Sequence, residues 1–390
     1  MKKIAIVTTH PIQYNAPWFK LLANEAAIDV KVFYTWSQVA TKEKFDPGFG
    51  KIINWDINLL EGYPYVFVKN SATNPGSHHR KGIINPTLIF EIEQWQPDTL
   101  LVFGWNFVSH FKCLKYFHKK MPVLFRGDST LIDETFGLKT FLRRIYLRWI
   151  YSFVDFAFYV GQNNKQYFIK HGLQQQQLIY APHATDNGRF AQPDDDYQQQ
   201  AQLLKSQLGI KPTDIVILFA GKFEEKKNPF FLLDFLKHCT NPTLKLLFIG
   251  NGKLENVLKE KAGKDNRILF LDFQNQQTMP VVYRLGDVVI LPSTGPGETW
   301  GLALNEAMAC SKMVIASDKV GGAIDLIKNY ENGLVISLNN VTPFYELMEK
   351  LLADKTIATT YGKKSFEIIN EFSYSKIVNA FSLFIHQKNK

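Results

Sequence analysis

At 390 residues, 46 % hydrophobic and 14 % aromatic, the chain is too long for one comfortable core and too apolar for disorder, so two globular domains are expected. A formal net charge of +9 invites anionic partners, but the basic residues are spread along the chain without a nucleic-acid motif; this argues against nucleic acid and leaves phosphate-bearing ligands or an anionic lipid surface. Cys113, Cys239 and Cys310 stand far apart without a CxxC pair, which argues against a disulfide framework or a structural zinc site and fits a reducing cytoplasm.

The opening MKKIAIVTTHPIQY carries two lysines and a short apolar run with no small-residue cleavage site, and reads as a first strand, not a signal peptide. KIAIVTT, VKVFYT, TLLVFG, PVLFRG, FAFYVG and LIYAPH follow as short continuous apolar runs, the pattern of strands buried on both faces. Segments of helical period lie between several of them, over 16–24, 108–119, 139–152 and 163–171. The second half repeats the scheme with DIVILFAG, LKLLFIG, RILFLDF, DVVILPS, MVIAS and GLVIS. None of these runs approaches the ~20 residues of a membrane span. Regular alternation of strand and helix predicts an α/β protein with two Rossmann-like parallel-sheet domains facing a cleft. The expected boundaries are an N-terminal domain over 1–184, a polar linker over 185–210 with a short helix around 200–208, and a C-terminal domain over 211–372. The last helix, within 373–390, suits either domain.

Two stretches of the second half carry chemistry. In FAGKFEEKKNPFFLLDFL a strand ends at Gly221 and a loop presents Lys222, Lys226 and Lys227; Asn228 reads as an N-cap before Pro229. Lysines and a positive helix end aimed at one spot suit phosphate, although a lysine-rich loop alone is more often a solvated turn. In STGPGETWGLALNEAMAC a glycine-rich connection leads to a helix starting near Trp300–Gly301. Glu298 and Glu306 fall on roughly the same side, one beside an anion at the free first-turn amides and the other within reach of hydroxyl groups. Taken alone, a pair of glutamates at this spacing is more often a cap at Glu298 and an ordinary surface residue at Glu306.

Together these stretches resemble the nucleotide-binding domain of family-4 glycosyltransferases of the GT-B fold, which carry G-(R/K)-x4-K after one strand and E-x7-E around a GL…EAMA helix start. Here the matching positions are Gly221, Lys222 and Lys227, and Glu298 and Glu306. NPTLKLLFIGNGKLE, LFLDFQNQQTMPVVYRLGDVVILPS and VIASDKVGGAIDLI match the family in type and order, and APHATDNGRF looks like its interdomain segment. The resemblance implies a retaining, metal-independent transferase using a nucleotide-diphosphate sugar, with no cofactor, acting in polysaccharide or glycoconjugate synthesis. By position, Lys222 and Lys227 would bind the diphosphate, Lys222 standing where arginine is common. Glu306 would hold the ribose hydroxyls and Glu298 the donor sugar. The amides around Thr299, Trp300, Gly301 and Leu302 would face the phosphates, and Phe273 lies near the expected base. The acidic run at 194–196 sits in the linker and reads as solvated, not as a metal site.

The acceptor side is less defined. The family often has a glycine-rich loop after the first strand, yet no glycine precedes Gly48 here. His10, Gln13 and Tyr14 end the first strand, and Arg126 and Asp128 of LFRGDS end another; all five are acceptor-side candidates, with His10 reading equally as a structural histidine. GFGKIINWDINLLEGYPY and NPGSHHRKGI supply aromatic and basic loops suited to shaping an acceptor pocket, a saccharide or a lipid-linked saccharide. LKTFLRRIYLRWIYSFVDF reads in two ways: as a helix lying on an anionic membrane, or as one whose apolar face packs on the sheet while its arginines stay wet. Two other functions share the tandem architecture, a non-hydrolysing sugar-nucleotide epimerase and an inactive binding module. The expected location is cytoplasmic, with peripheral attachment to the inner membrane face.

Overall fold

Continuous runs of β-branched and aromatic residues form the strands. The computed structural model describes residues 1–36, 44–46, 49, 51–53, 55–191 and 195–387. Its strands are β1 (Lys2–Thr8), β2 (Ile28–Tyr34), β3 (Lys44–Asp46), β4 (Lys51–Ile53), β5 (Tyr65–Phe67), β6 (Thr99–Phe103), β7 (Val123–Arg126), β8 (Phe156–Tyr159) and β9 (Leu178–Tyr180). β10 (Ile215–Ala220), β11 (Leu244–Ile249), β12 (Ile268–Leu271), β13 (Val288–Leu291), β14 (Met313–Ser317) and β15 (Gly333–Ile336) follow. The chain divides into two units, one made of Met1–Glu43, Asn58–His183 and Tyr374–Lys390, the other of Lys44–Ile57 and Ala184–Ser373.

The first unit is a seven-stranded parallel sheet in the order β5-β2-β1-β6-β7-β8-β9. Ile4, Ala5, Ile6 and Val7 of β1 are fully buried, as expected for a central strand covered on both faces. β5, too short to stand out in sequence, is the edge strand. The closing helix, Tyr374–Gln387, packs on this unit: the Phe381 ring stacks on Phe158 at 4.1 Å and on Trp18 at 5.4 Å.

The helix Leu138–Tyr151, which the sequence left open to two readings, combines a packed edge with an exposed apolar stripe. Leu147, Ile150 and Tyr151 are buried, but the apolar stripe of Leu138, Phe141, Leu142, Ile145 and Trp149 faces solvent. No helix among the described residues is long and apolar enough to cross a membrane.

The second unit holds a six-stranded parallel sheet, β12-β11-β10-β13-β14-β15, and the antiparallel pair β3-β4. Residues 44–57, expected within the N-terminal domain, belong here; the Asp56 carboxylate accepts from the Gln277 amide at 3.1 Å. The expected linker 185–210 is not an open connection. It forms the helices Asn187–Ala191 and Asp195–Gln207, because Phe190 is fully buried and its carbonyl accepts from Arg284 Nη2 at 3.1 Å. Asp194 of the acidic run, and Gly48 with its neighbours at 47, 50 and 54, lie outside the described residues.

Candidate functional site

Where neighbouring crossovers of an open parallel sheet run in opposite directions, the loops at the carboxyl ends part to form a crevice. In the second sheet that point falls between β10 and β13, flanked by the loops 221–228 and 292–301. A backbone bond from the Thr294 amide to the Lys226 carbonyl, 2.9 Å, ties the two loops together.

Glycine permits the first loop's path. Gly250 has φ +132°, and a Cβ there would stand 2.1 Å from the Gly221 carbonyl oxygen; one at Gly252 would stand 2.5 Å from that of Phe223. The ends of β10 and β11 therefore cross backbone to backbone. Phe223 is pinned by its amide to the Asn251 carbonyl at 3.0 Å and by its buried ring. This fixes Lys222 immediately before it. Asn228 is not the helix N-cap: it takes a left-handed conformation (φ +52°) and its amide closes the 3-10 turn Glu225–Lys227, so the helix starts at Phe230. That turn aims Lys227 back over the sheet.

The second loop is held from below. Gly321 donates its amide to the Glu298 carbonyl at 2.8 Å, and Gly322 to that of Trp300 at 2.9 Å. The Trp300 ring is buried and its Nε1 donates to Asn305 Oδ1 at 2.8 Å, locking the entrance to the helix Leu302–Ala309. Trp300, a donor-binding candidate, thus gives its side chain to packing. Gly301 turns the chain at φ +96°; a Cβ there would meet Val320 Cγ1 at 2.7 Å. Thr299 and Leu302 flank this turn, Leu302 opening the helix whose first amides have no partner within it.

The candidate charges fall into three groups. Lys227 Nζ forms an ion pair with Glu298 Oε2, to which Ser293 Oγ also donates at 3.3 Å; the two charged side chains are 19 % and 11 % exposed. Lys222 Nζ lies 4.9 Å over the Phe49 ring, which meets the Phe273 ring at 4.7 Å, and the Phe273 amide donates to Asn251 Oδ1 at 2.9 Å. Glu306 is 3 % exposed and accepts from the Tyr283 hydroxyl at 2.8 Å, which excludes the reading of an ordinary surface glutamate. Ser293, Tyr283, Asn251 and Phe49 were not among the sequence candidates. Asn251, between two glycines at a strand end, carried a signal; the others are defined only by partners brought in from other strands.

In the first unit, His10 Nδ1 shares a hydrogen bond with Thr9 Oγ1 at 3.0 Å and its ring stands edge-on to Trp36 at 5.4 Å. Gln13 offers its carbonyl to the Tyr374 hydroxyl at 3.3 Å; Tyr14 is half-buried. Arg126 does not reach outward. It is buried, donating to the carbonyls of Ala181 (2.7 Å) and Pro182 (3.0 Å), and burial pulls its guanidinium down to about 10. Asp128 Oδ2 instead stands 3.7 Å from His183 Nε2, and burial holds that imidazole below its usual range against the pull of the carboxylate. Among the described residues no three His, Cys, Asp or Glu side chains gather as a metal site would require.

Two lysines, a paired carboxylate with a hydroxyl beside it, and a helix start on the β10 and β13 loops can bind a diphosphate and order the hydroxyls of an attached group. The family model for glycosyl transferases group 1 matches residues 200–367. Among curated relatives, the chain is 27 % identical over 210 residues to the Escherichia coli UDP-Gal:alpha-D-GlcNAc-diphosphoundecaprenol alpha-1,3-galactosyltransferase, covering 52 % of this chain and 50 % of that one. It is 29 % identical over 189 residues to the D-inositol 3-phosphate glycosyltransferase of Jonesia denitrificans, covering 45 % and 43 %. The chain thus spans about half or less of the length of these relatives. The solved structure of Anabaena HepE in complex with UDP and glucose superposes over 99 % of this chain and 100 % of that one, with a TM-score of 0.71 at 18 % identity, so the two share the GT-B fold.

Proposed function

From the match of residues 200–367 to the glycosyl transferases group 1 model, we propose that the chain is a member of that family and a retaining glycosyltransferase, moving a sugar from a nucleotide-diphosphate sugar to a saccharide or lipid-linked acceptor in glycoconjugate synthesis. The observation that carries this reading is the Lys227–Glu298 pair, with Ser293 beside it, on the loop that follows β13 at the point where the sheet order turns. In the reaction the bond from the anomeric carbon to the diphosphate breaks and its electron pair leaves on the phosphate oxygen. The acceptor oxygen forms the new bond on the face the diphosphate vacates, and its proton passes to the departing phosphate. Negative charge therefore grows on the diphosphate as positive charge grows on the sugar ring.

Lys227 and Lys222, with the first amides of the helix Leu302–Ala309, supply fixed positive charge where the diphosphate charge develops. Glu298, already oriented by Lys227 and Ser293, takes the sugar hydroxyls, and Glu306, oriented by Tyr283, the ribose hydroxyls. Phe273 and Phe49 offer ring surface for the base. On the acceptor side, Asp128 and His183 are better placed to meet a hydroxyl than Arg126, whose donors are engaged by the backbone. Since HepE was solved with UDP and glucose, uridine diphosphate sugars are the first donors to try; the Escherichia coli relative's name specifies a diphosphoundecaprenol-linked acceptor, which makes that the first acceptor class.

The test is a panel of nucleotide sugars, each incubated with and without acceptor, with free nucleotide and the sugar's fate followed by chromatography. Nucleotide release that depends on acceptor, with the product's anomeric configuration retained, is expected. A changed sugar still attached to its nucleotide would assign an epimerase, and binding without turnover an inactive member; either outcome overturns the proposal.

A further inference from the structure

We propose that the groove between the helices Phe230–Lys237 and Glu255–Ala262 of the second unit binds a small apolar carboxylate, a compact hydrocarbon body ending in one anionic group. The groove has a volume of about 360 Å³, at the small end of the roughly 300–1,000 Å³ of small-molecule pockets. Phe230, Leu233, Asp234 and Lys237 fall at i, i+3, i+4 and i+7, so one face of the first helix forms a wall that is apolar below and charged above. The floor is hydrocarbon: Leu233, Leu236 and Ala262 are buried, and half-buried Ile268 closes it at the start of β12. Ala262 contributes a single methyl group to the second helix's side, which leaves the space that a larger residue would fill. None of Lys222, Lys227, Glu298 and Glu306 lines the groove, so binding there and sugar transfer stand or fall separately.

The rim sets the charge of the guest. Lys237 Nζ pairs with Asp234 Oδ1 at 2.7 Å. Arg267 grips Asp265, with Nη2 on Oδ2 at 2.7 Å and Nε on Oδ1 at 3.0 Å, while its Nη1 donates to the Cys239 carbonyl. Lys261 is left over. Its ammonium lies 4.4 Å from the centre of the Phe230 ring, and it forms no ion pair among the described residues. Lys245, which donates to the Asn266 carbonyl at 3.2 Å, adds positive charge beside the rim. A cationic guest would meet Lys237, Lys261 and Arg267, and a dianion such as a phosphate ester would be repelled by the two rim carboxylates. A monoanion instead takes the one uncompensated ammonium and removes its apolar body from water against Leu233, Leu236 and Ala262. The Phe230 ring, already the resting place of that ammonium, holds the cation and the guest's body together at one spot.

The probes share one aromatic body and differ in charge: phenylacetate, phenylethanol, phenethylamine and phenyl phosphate. Each is titrated into the full chain and followed by ligand-observed NMR, alone and in the presence of uridine diphosphate. Saturable binding of phenylacetate is expected, unaffected by the nucleotide, with the other three about fivefold weaker or more, the scale of one partly exposed charge contact. Lys261→Glu should weaken phenylacetate by about tenfold without shifting the melting temperature, because the side chain is exposed. Ala262→Leu, which fills the floor, should weaken phenylacetate and phenylethanol alike. Absence of saturable phenylacetate binding at millimolar concentration, equal or tighter binding of the alcohol, amine or phosphate, displacement by uridine diphosphate, or an affinity that Lys261→Glu leaves unchanged would each overturn the proposal.

Discussion

Replacing Lys227 by alanine removes the cation from an ion pair whose carboxylate, Glu298, is 11 % exposed and keeps Ser293 as its hydroxyl partner at 3.3 Å. Two costs follow. Loss of one fixed donor to developing transition-state charge is worth about 3–4 kcal/mol, or roughly 10²–10³ in kcat. Leaving a mostly buried carboxylate without its counter-ion costs about 1–3 kcal/mol of folding free energy, below the fully buried limit because both groups retain some water. Steady-state nucleotide release measures the first and thermal melting the second. Glu298→Gln separates them: it keeps an acceptor for Lys227 and Ser293 but removes the charge, so it should spare more stability than Lys227→Ala while still losing turnover. The double variant should lose less than the sum of the singles, since the side chains contact each other. Turnover of Lys227→Ala within threefold of the unmodified protein would refute the diphosphate assignment.

Tyr283→Phe deletes the hydroxyl that donates to Glu306 and should cost about 1–3 kcal/mol in stability while raising the donor KM with kcat little changed; an unchanged KM in initial-rate measurements argues against a ribose role for Glu306. Gly301→Ala forces a Cβ onto a residue at φ +96° and against Val320 Cγ1, so a loss of about 1–3 kcal/mol is expected, read at roughly 2–4 °C per kcal/mol in thermal melting. Stability should also fall with acid. His110 is fully buried, with ring nitrogens at the Thr35 hydroxyl (2.9 Å) and the Phe103 carbonyl (2.8 Å), and burial depresses its pKa to about 4. The unfolded chain takes up the proton first, so stability is full above the ordinary imidazole value and is lost as pH falls towards 4. About 2 kcal/mol should vanish between pH 7 and pH 5, and urea midpoints should show a flatter pH dependence in His110→Gln.

The strands were legible because burial on both faces writes itself as unbroken apolar runs; β5, three residues on a sheet edge, offered no such run. Lys227 and Glu298 were legible because their motif spacing is local to each loop. Ser293 and Tyr283 were not, since each acquires meaning only when the sheet brings its partner alongside. Asn228 misled for a related reason: asparagine before proline suits a cap, but the preceding 3-10 turn needed a left-handed residue at its end, and asparagine tolerates that too. For Leu138–Tyr151 the sequence marked the stripe but not its direction. Periodicity is the same whether a face looks in or out, and only Leu147, Ile150 and Tyr151 reaching the core decided it.

The closing helix carries an implication for how the protein is made. Phe381 covers Trp18 and Phe158, yet it leaves the ribosome only after the whole second unit has been synthesised. Until then the first sheet must wait with an uncovered aromatic flank, open to chaperones and proteases. A nonsense codon just before Tyr374 would therefore damage the half of the molecule translated earliest.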